Sequence, residues 1–219
     1  MNLLKICGIT RVEDAAAAYM LGFDAVGMVF AESPRRLSPD RARIISWALP
    51  ASLLRVGVFA DCGAGEVRRL VEYCGLDLVQ FHGEENPGEV ARFGARAIKA
   101  LRLYGPDELE KIDDYPGVFA ILIDTWDPAR RGGTGVPCDW DLAARASQRA
   151  RVILAGGLNP ANVRRAVARV RPFGVDVSSG VELGPGIKDH GLMRDFAREA
   201  RAGGSAVDYE EAGDAGIQA

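Results

Sequence analysis

Residues 151–180 read RVILAGGLNPANVRRAVARVRPFGVDVSSG, and the succession of textures inside this stretch decides the fold. Arg151 to Leu154 is a short apolar run without polar alternation, the mark of a strand covered on both faces. Gly156-Gly157 ends it in a loop. Asn159-Pro160 sets a capping residue before a proline suited to the first helical position, which predicts a helix over 160–170. A second buried strand follows over 174–177 and runs into Ser178-Ser179-Gly180. Strand, glycine loop, helix and strand make one parallel unit, joined by a right-handed crossover.

The same texture recurs from the N-terminus. Short apolar runs fall over 3–7, 24–30, 54–59, 77–81, 96–101 and 118–123. Helical segments alternate with them over 11–21, 39–49, 64–74, 87–93, 106–113 and 140–148, and a last one covers 189–201. Ser38-Pro39 repeats the helix-start signal. This alternation within 219 residues predicts an α/β fold, a single (β/α)8 TIM barrel near the lower end of its size range. An open doubly wound sheet is the rival, but its GxGxxG turn after the first strand is replaced by Cys7-Gly8-Ile9-Thr10. The barrel domain is placed at 1–202. Residues 203–219, rich in Gly, Ala and acidic groups, lack an apolar face and read as a disordered tail.

Hydrophobic residues make up 48% of the chain and charged residues 26%, which supports a core that needs no staples. The net charge of -3 speaks against a nucleic-acid partner, yet a local positive field for a small anion is compatible with it. Cys7, Cys62, Cys74 and Cys138 form no CxxC pair, and the chain has only two histidines, His82 and His190. Neither a metal site nor a disulfide framework is expected. Free thiols, an opening strand in place of a leader pattern, and no apolar run of about 18 residues point to a cytoplasmic protein without a membrane partner. The helix faces show no patch that separates a monomer from a homodimer.

In this fold catalytic groups sit where strands run out into the following loops. Gly156, Gly157, Ser178, Ser179 and Gly180 end the seventh and eighth strands. Two glycine-bearing loops at these positions favour phosphate binding over plain turn formation. Cys7 ends the first strand as either a small buried hydrophobe or a general base. The second role asks for a thiol pKa lowered toward neutrality. Lys5, two residues earlier, shares its side of the strand. Asp124 follows an apolar run and either caps its loop or acts as a general acid whose pKa burial raises. Asp176 ends the eighth strand. Arg35-Arg36 is either a solvated pair or a fork for a carboxylate. Gln80 and His82 share a strand face, and His82 is either structural or functional.

Eight blocks, in order, carry a likeness to one family. They are Lys5-Ile6-Cys7-Gly8-Ile9-Thr10; Gly27 to Phe30 with Ser33-Pro34-Arg35-Arg36; Val56-Gly57-Val58-Phe59; Val79 to Glu84; Ile123-Asp124-Thr125; Gly132-Gly133-Thr134-Gly135; Ala155 to Val163; and Val175 to Glu182 with Pro185-Gly186 and Lys188-Asp189. From Lys5 to Phe196 the chain resembles the phosphoribosylanthranilate isomerases. The resemblance implies a cofactor-free and metal-free barrel that rearranges N-(5-phosphoribosyl)anthranilate in tryptophan biosynthesis. It implies Asp124 as general acid, Cys7 as general base, Arg36 on the anthranilate carboxylate, and Gly156, Gly157, Ser178, Ser179 and Gly180 around the phosphate. Gln80, His82 and Asp176 complete the expected substrate-binding set. One departure stands out. Many members continue the glycine loop as Gly-Lys-x-Phe-Asp-Trp, whereas Gly135 is followed here by Val136-Pro137-Cys138-Asp139-Trp140. Two other activities compete: a different phosphosugar reaction such as epimerisation, and a non-catalytic phosphometabolite-binding barrel.

Overall fold

Eight strands close on one another in chain order. They are β1 Leu3–Cys7, β2 Ala25–Val29, β3 Leu54–Phe59, β4 Leu78–Phe81, β5 Ala97–Leu101, β6 Ala120–Asp124, β7 Val152–Ala155 and β8 Gly174–Val177. All neighbours pair in parallel, and β1 closes the barrel against β8 with Lys5 opposite Asp176. The computed structural model describes residues 1–124 and 140–213. Thr125, the glycine loop 132–135 and Val136-Pro137-Cys138 lie outside the described residues.

Helices α1 Val12–Met20, α2 Pro39–Trp47, α3 Ala64–Cys74, α4 Pro87–Ala91, α5 Trp140–Ser147, α6 Val163–Val170 and α7 His190–Gly213 surround the barrel. Strand alternation divides the core. Leu4, Ile6, Val26 and Leu154 face the helices, while Leu3, Ala25, Val56, Leu78, Ile98, Leu122 and Ile153 fill the lower barrel. Two residues further along, the inward positions become Lys5, Gln80, Asp124 and Asp176, so a polar layer lies above an apolar plug.

Several helix starts follow their sequence signals. Ser38 Oγ accepts from the N–H of Arg41 with Pro39 opening α2, and Asn86 and Glu89 form a reciprocal capping box on α4. Others differ. Asn159-Pro160 does not open α6, because Asn159 Oδ1 accepts from the N–H of Ala161 at 2.9 Å and makes a turn of its own. The helix begins three residues later, at Val163. The segment Pro106–Ile112 is a 3-10 helix rather than an α-helix. α7 continues past the Arg201 end expected for it and carries helix into part of the segment read as tail. A short antiparallel hairpin, β9 Glu182–Gly184 with β10 Ile187–Lys188, follows β8 and was not foreseen. Among the described residues no helix is long and apolar enough to cross a membrane.

Asp14 fastens α1 to the end of the chain. Its fully buried carboxylate accepts from Arg11, from His190 Nε2 at 2.8 Å and from the N–H of Lys188 at 3.2 Å. Burial alone would push this carboxyl up. Hydrogen bonds from Arg11, His190 and Lys188 outweigh it and hold the group below its ordinary value. A carboxyl lowered by folding stabilises the fold above the ordinary carboxylate pKa of about 4, and this contribution disappears as pH falls through the lowered value. Asp14→Asn is therefore expected to cost about 2 kcal/mol at neutral pH. In urea titrations its deficit against wild type should shrink under acid conditions. A deficit independent of pH would contradict this account.

Candidate active site

A cavity of about 360 Å³ opens at the C-terminal mouth of the barrel. It collects side chains or backbone from Cys7, Arg35, Gln80, His82, Asp124, Gly156, Gly157, Asp176, Ser178, Ser179 and Gly180. Every residue singled out from the sequence lines it except Arg36 and the wholly buried Lys5. Arg36 pairs with Val29 as a backbone bridge and borders a neighbouring cavity of about 170 Å³ with Phe30, Phe59 and Leu70. Its predecessor Arg35 faces the main cavity instead. The pairing of Arg36 with β2 fixes which of the two adjacent side chains turns inward, and the doublet alone carries no such information.

The flank formed by β1 and β8 is dry. Lys5 is wholly buried, and its Nζ donates to Asp176 Oδ2 at 2.9 Å. Asp176 Oδ1 has no hydrogen-bond partner among the described residues. Burial pushes Lys5 down, but Asp176 and then Cys7 hold it above its ordinary value, so it stays an ammonium. Burial raises Asp176 against the pull of Lys5. Cys7 is also raised, by burial first, with Lys5 opposing. The lowered thiol pKa that a ready-made base would need is therefore not what these surroundings provide. Desolvation of the thiolate outweighs its cationic neighbours.

The flank formed by β4 and β6 is wetter. His82 Nε2 lies 3.3 Å from Asp124 Oδ2, with side chains 26% and 19% exposed. Gln80 Nε2 lies 2.9 Å from His82 Nδ1. With the amide donating to Nδ1, the ring proton sits on Nε2 and points at the carboxylate. Gln80 Oε1 is buried without a partner among the described residues. Two unsatisfied acceptors, on Gln80 and Asp176, thus border the same cavity, where ligand hydroxyls can satisfy them.

Between these flanks lie the loops after β7 and β8. Gly156 and Gly157 have φ of 82° and 65°, a region that side chains disfavour. A Cβ on Gly180 would collide with the carbonyl of Leu158, so these two loops pack backbone against backbone. Arg35 is clamped by Glu182, with Nε at 2.8 Å and Nη2 at 2.5 Å. Glu182 also accepts from Lys188 Nζ at 2.7 Å. Lys188, 2% exposed, donates further to the carbonyls of Cys7 at 2.6 Å and Ser178 at 3.2 Å. Glu182 and Lys188 belong to the quoted motifs, but neither was assigned a role. A charged pair inside a Pro-Gly hairpin was the available signal, and it reads equally well as a solvated turn.

Known proteins match this chain over nearly its whole length. The family model described as N-(5'phosphoribosyl)anthranilate (PRA) isomerase covers residues 4–199. The N-(5'-phosphoribosyl)anthranilate isomerase of Geobacter sp. (strain M21) is 48% identical over 202 residues, 92% of this chain and 98% of its own. The crystal structure of phosphoribosyl anthranilate isomerase from Thermotoga maritima superimposes with a TM-score of 0.85 at 43% identity, covering 92% of this chain and 99% of that one. A phosphoribosyl anthranilate isomerase in complex with reduced 1-(o-carboxyphenylamino)-1-deoxyribulose 5-phosphate has a TM-score of 0.82 and 41% identity, with 92% and 99% coverage. A barrel closed in chain order and a mouth lined by the motif residues agree with these likenesses, and the chain belongs to the N-(5'-phosphoribosyl)anthranilate isomerase family.

Proposed function

We propose that in this isomerase of tryptophan biosynthesis Cys7 is the general base and Asp124 the general acid of the rearrangement. One observation carries the reading. Cys7 on β1 and Asp124 on β6 line one cavity, and the glycine loops of β7 and β8 lie between their strands. A phosphate seated on Gly156, Gly157, Ser178, Ser179 and Gly180 leaves its ribose between the acid and the base.

The chemistry needs one group on each flank. Asp124 gives its proton to the furanose ring oxygen as the C1–O bond breaks, and the anilinic nitrogen lone pair forms the iminium. The Cys7 thiolate then takes the proton from C2, and the electron pair flows back into the iminium to give the enolamine. Tautomerisation adds a proton at C1 and removes one from the enol oxygen, so atoms balance over the cycle. The substrate's own nitrogen is the electron sink. His82 holds the Asp124 carboxylate over the cavity. The bare acceptors of Gln80 and Asp176 suit the sugar hydroxyls. Arg35, rather than Arg36, takes the anthranilate carboxylate, supported by its inward-facing guanidinium and the Glu182 clamp. A small phosphorylated substrate and a cytoplasmic location complete the reading, the latter supported by the unpaired thiols of Cys7, Cys62 and Cys74.

Turnover followed by the loss of substrate fluorescence tests these roles. Cys7→Ser and Asp124→Asn should each lower kcat by at least about 100-fold. Wild-type turnover in either variant removes that residue from its role. Arg35→Ala should raise KM by roughly 10-fold or more, the scale of one hydrogen bond to a charged group, while Arg36→Ala should leave KM near the wild-type value. The reverse pattern would return the carboxylate to Arg36.

A further inference from the structure

None of these roles uses Lys5, although it is a lysine with no exposed surface in the strand that carries Cys7. Residues two apart on a strand share a face, so both side chains enter the barrel. A Cβ built on Gly27 of β2 would lie 2.8 Å from Cys7 Sγ and 3.2 Å from Lys5 Nζ. Sulfur and ammonium thus crowd one point that only a glycine leaves open, within the roughly 4–6 Å over which a neighbouring charge moves a titration.

Other charges also face Cys7. Lys188 of β10 reaches its carbonyl, Arg35 approaches from the loop after β2, and Asp176 stands on β8. They differ in what remains to be donated. Lys188 Nζ serves three oxygens, on Cys7, Ser178 and Glu182. Arg35 is held bidentate by Glu182. Among the described residues Lys5 Nζ meets one oxygen, Asp176 Oδ2, and an ammonium carries three donors. Its remaining protons lie beside the sulfur, whereas the remaining donors of Arg35 are those proposed for the substrate carboxylate.

We propose that Lys5 is the positioning residue that holds a cation beside the Cys7 sulfur, so that the thiolate which takes the substrate proton can exist inside the dry barrel. Asp176 anchors this lysine and opposes the thiolate with its own negative charge. The use of the field in catalysis rests on Cys7 being the base.

The experiment reads the thiol itself and needs no substrate. The full chain is alkylated with iodoacetamide across pH, and the Cys7 peptide is followed by mass spectrometry with Cys62 as the internal control. In Lys5→Met the midpoint for Cys7 should rise by at least about one pH unit, with alkylation near pH 8 at least about tenfold slower. Circular dichroism verifies the fold of each variant. If Lys5→Met does not fold, Lys5→Gln, whose amide can still donate to Asp176, carries the same expected rise. An unmoved midpoint in the folded Lys5 variant overturns the assignment of Lys5. Full turnover by Cys7→Ser overturns the base assignment instead, and the two failures are separable.

Discussion

Lys5 and Asp176 face each other across the pair of strands at which the barrel closes, β1 and β8. Taking two such charges out of water costs several kcal/mol per ion, and well-packed apolar side chains at the same places are often as stable or more so. The lower barrel uses that cheaper solution, with Leu3, Ile98, Leu122 and Ile153 interdigitated. One layer higher the chain gives it up. The ion pair therefore marks the level at which the interior stops serving stability and starts serving chemistry. Cys7, Gln80 and Asp124 appear at or above that level, on strands whose lower halves are apolar.

Once the seam holds a charge, the loops above it can be hung on further charges. Lys188 binds the carbonyls at the ends of β1 and β8, and through Glu182 it reaches Arg35 in the loop after β2. Burial pulls Lys188 below its ordinary value, against Glu182. Burial would raise Glu182, but Arg35 and Lys188 outweigh it and keep the carboxylate ionised. Gly8 shares in this fit. Its φ of 75° suits glycine, and any Cβ there would run into the side chain of Arg35. The end of β1, the loop after β8 and the Arg35 guanidinium are thus fastened to one hairpin of a few residues, β9–β10.

The barrel was legible because its signals are local and repeated. Unalternating strands such as 54–59 and 174–177, separated by helical segments, leave few topologies open, and alternation within each strand says which side chains point inward. That rule correctly paired Lys5 with Cys7 and Gln80 with His82. Legibility failed where two local signals compete. Asn159-Pro160 reads as a helix cap, but the Asn side chain closes a turn on Ala161 first. The residues Arg35-Arg36 read either way apart from the resemblance, which picks Arg36, and the cavity that each side chain borders tells them apart. The state of the Cys7 thiol was not legible, because it is a balance between desolvation and the charges around it, and burial depth has no sequence signature at a strand end.

The two flanks of the cavity differ in water, and the reaction order makes use of that difference in the roles proposed for them. Asp124 and His82 keep 19% and 26% of their side chains exposed, so an acid that has given up its proton can recover one from solvent. Lys5 and Asp176 keep 0% and 8%. Cys7 is half-buried at the cavity wall, and a thiolate backed by this dry pair has water on one side only, which makes it a stronger base toward a carbon acid once it exists and a rarer species before then. Ring opening comes first and needs only the acid. It creates the iminium, whose positive charge then lies in the same cavity as the sulfur. A base that is scarce before that cation forms and favoured once it is present would act on the activated intermediate and leave the intact sugar alone. On this view the raised Cys7 thiol is part of the selectivity, and the buried lysine keeps its scarcity from becoming absence.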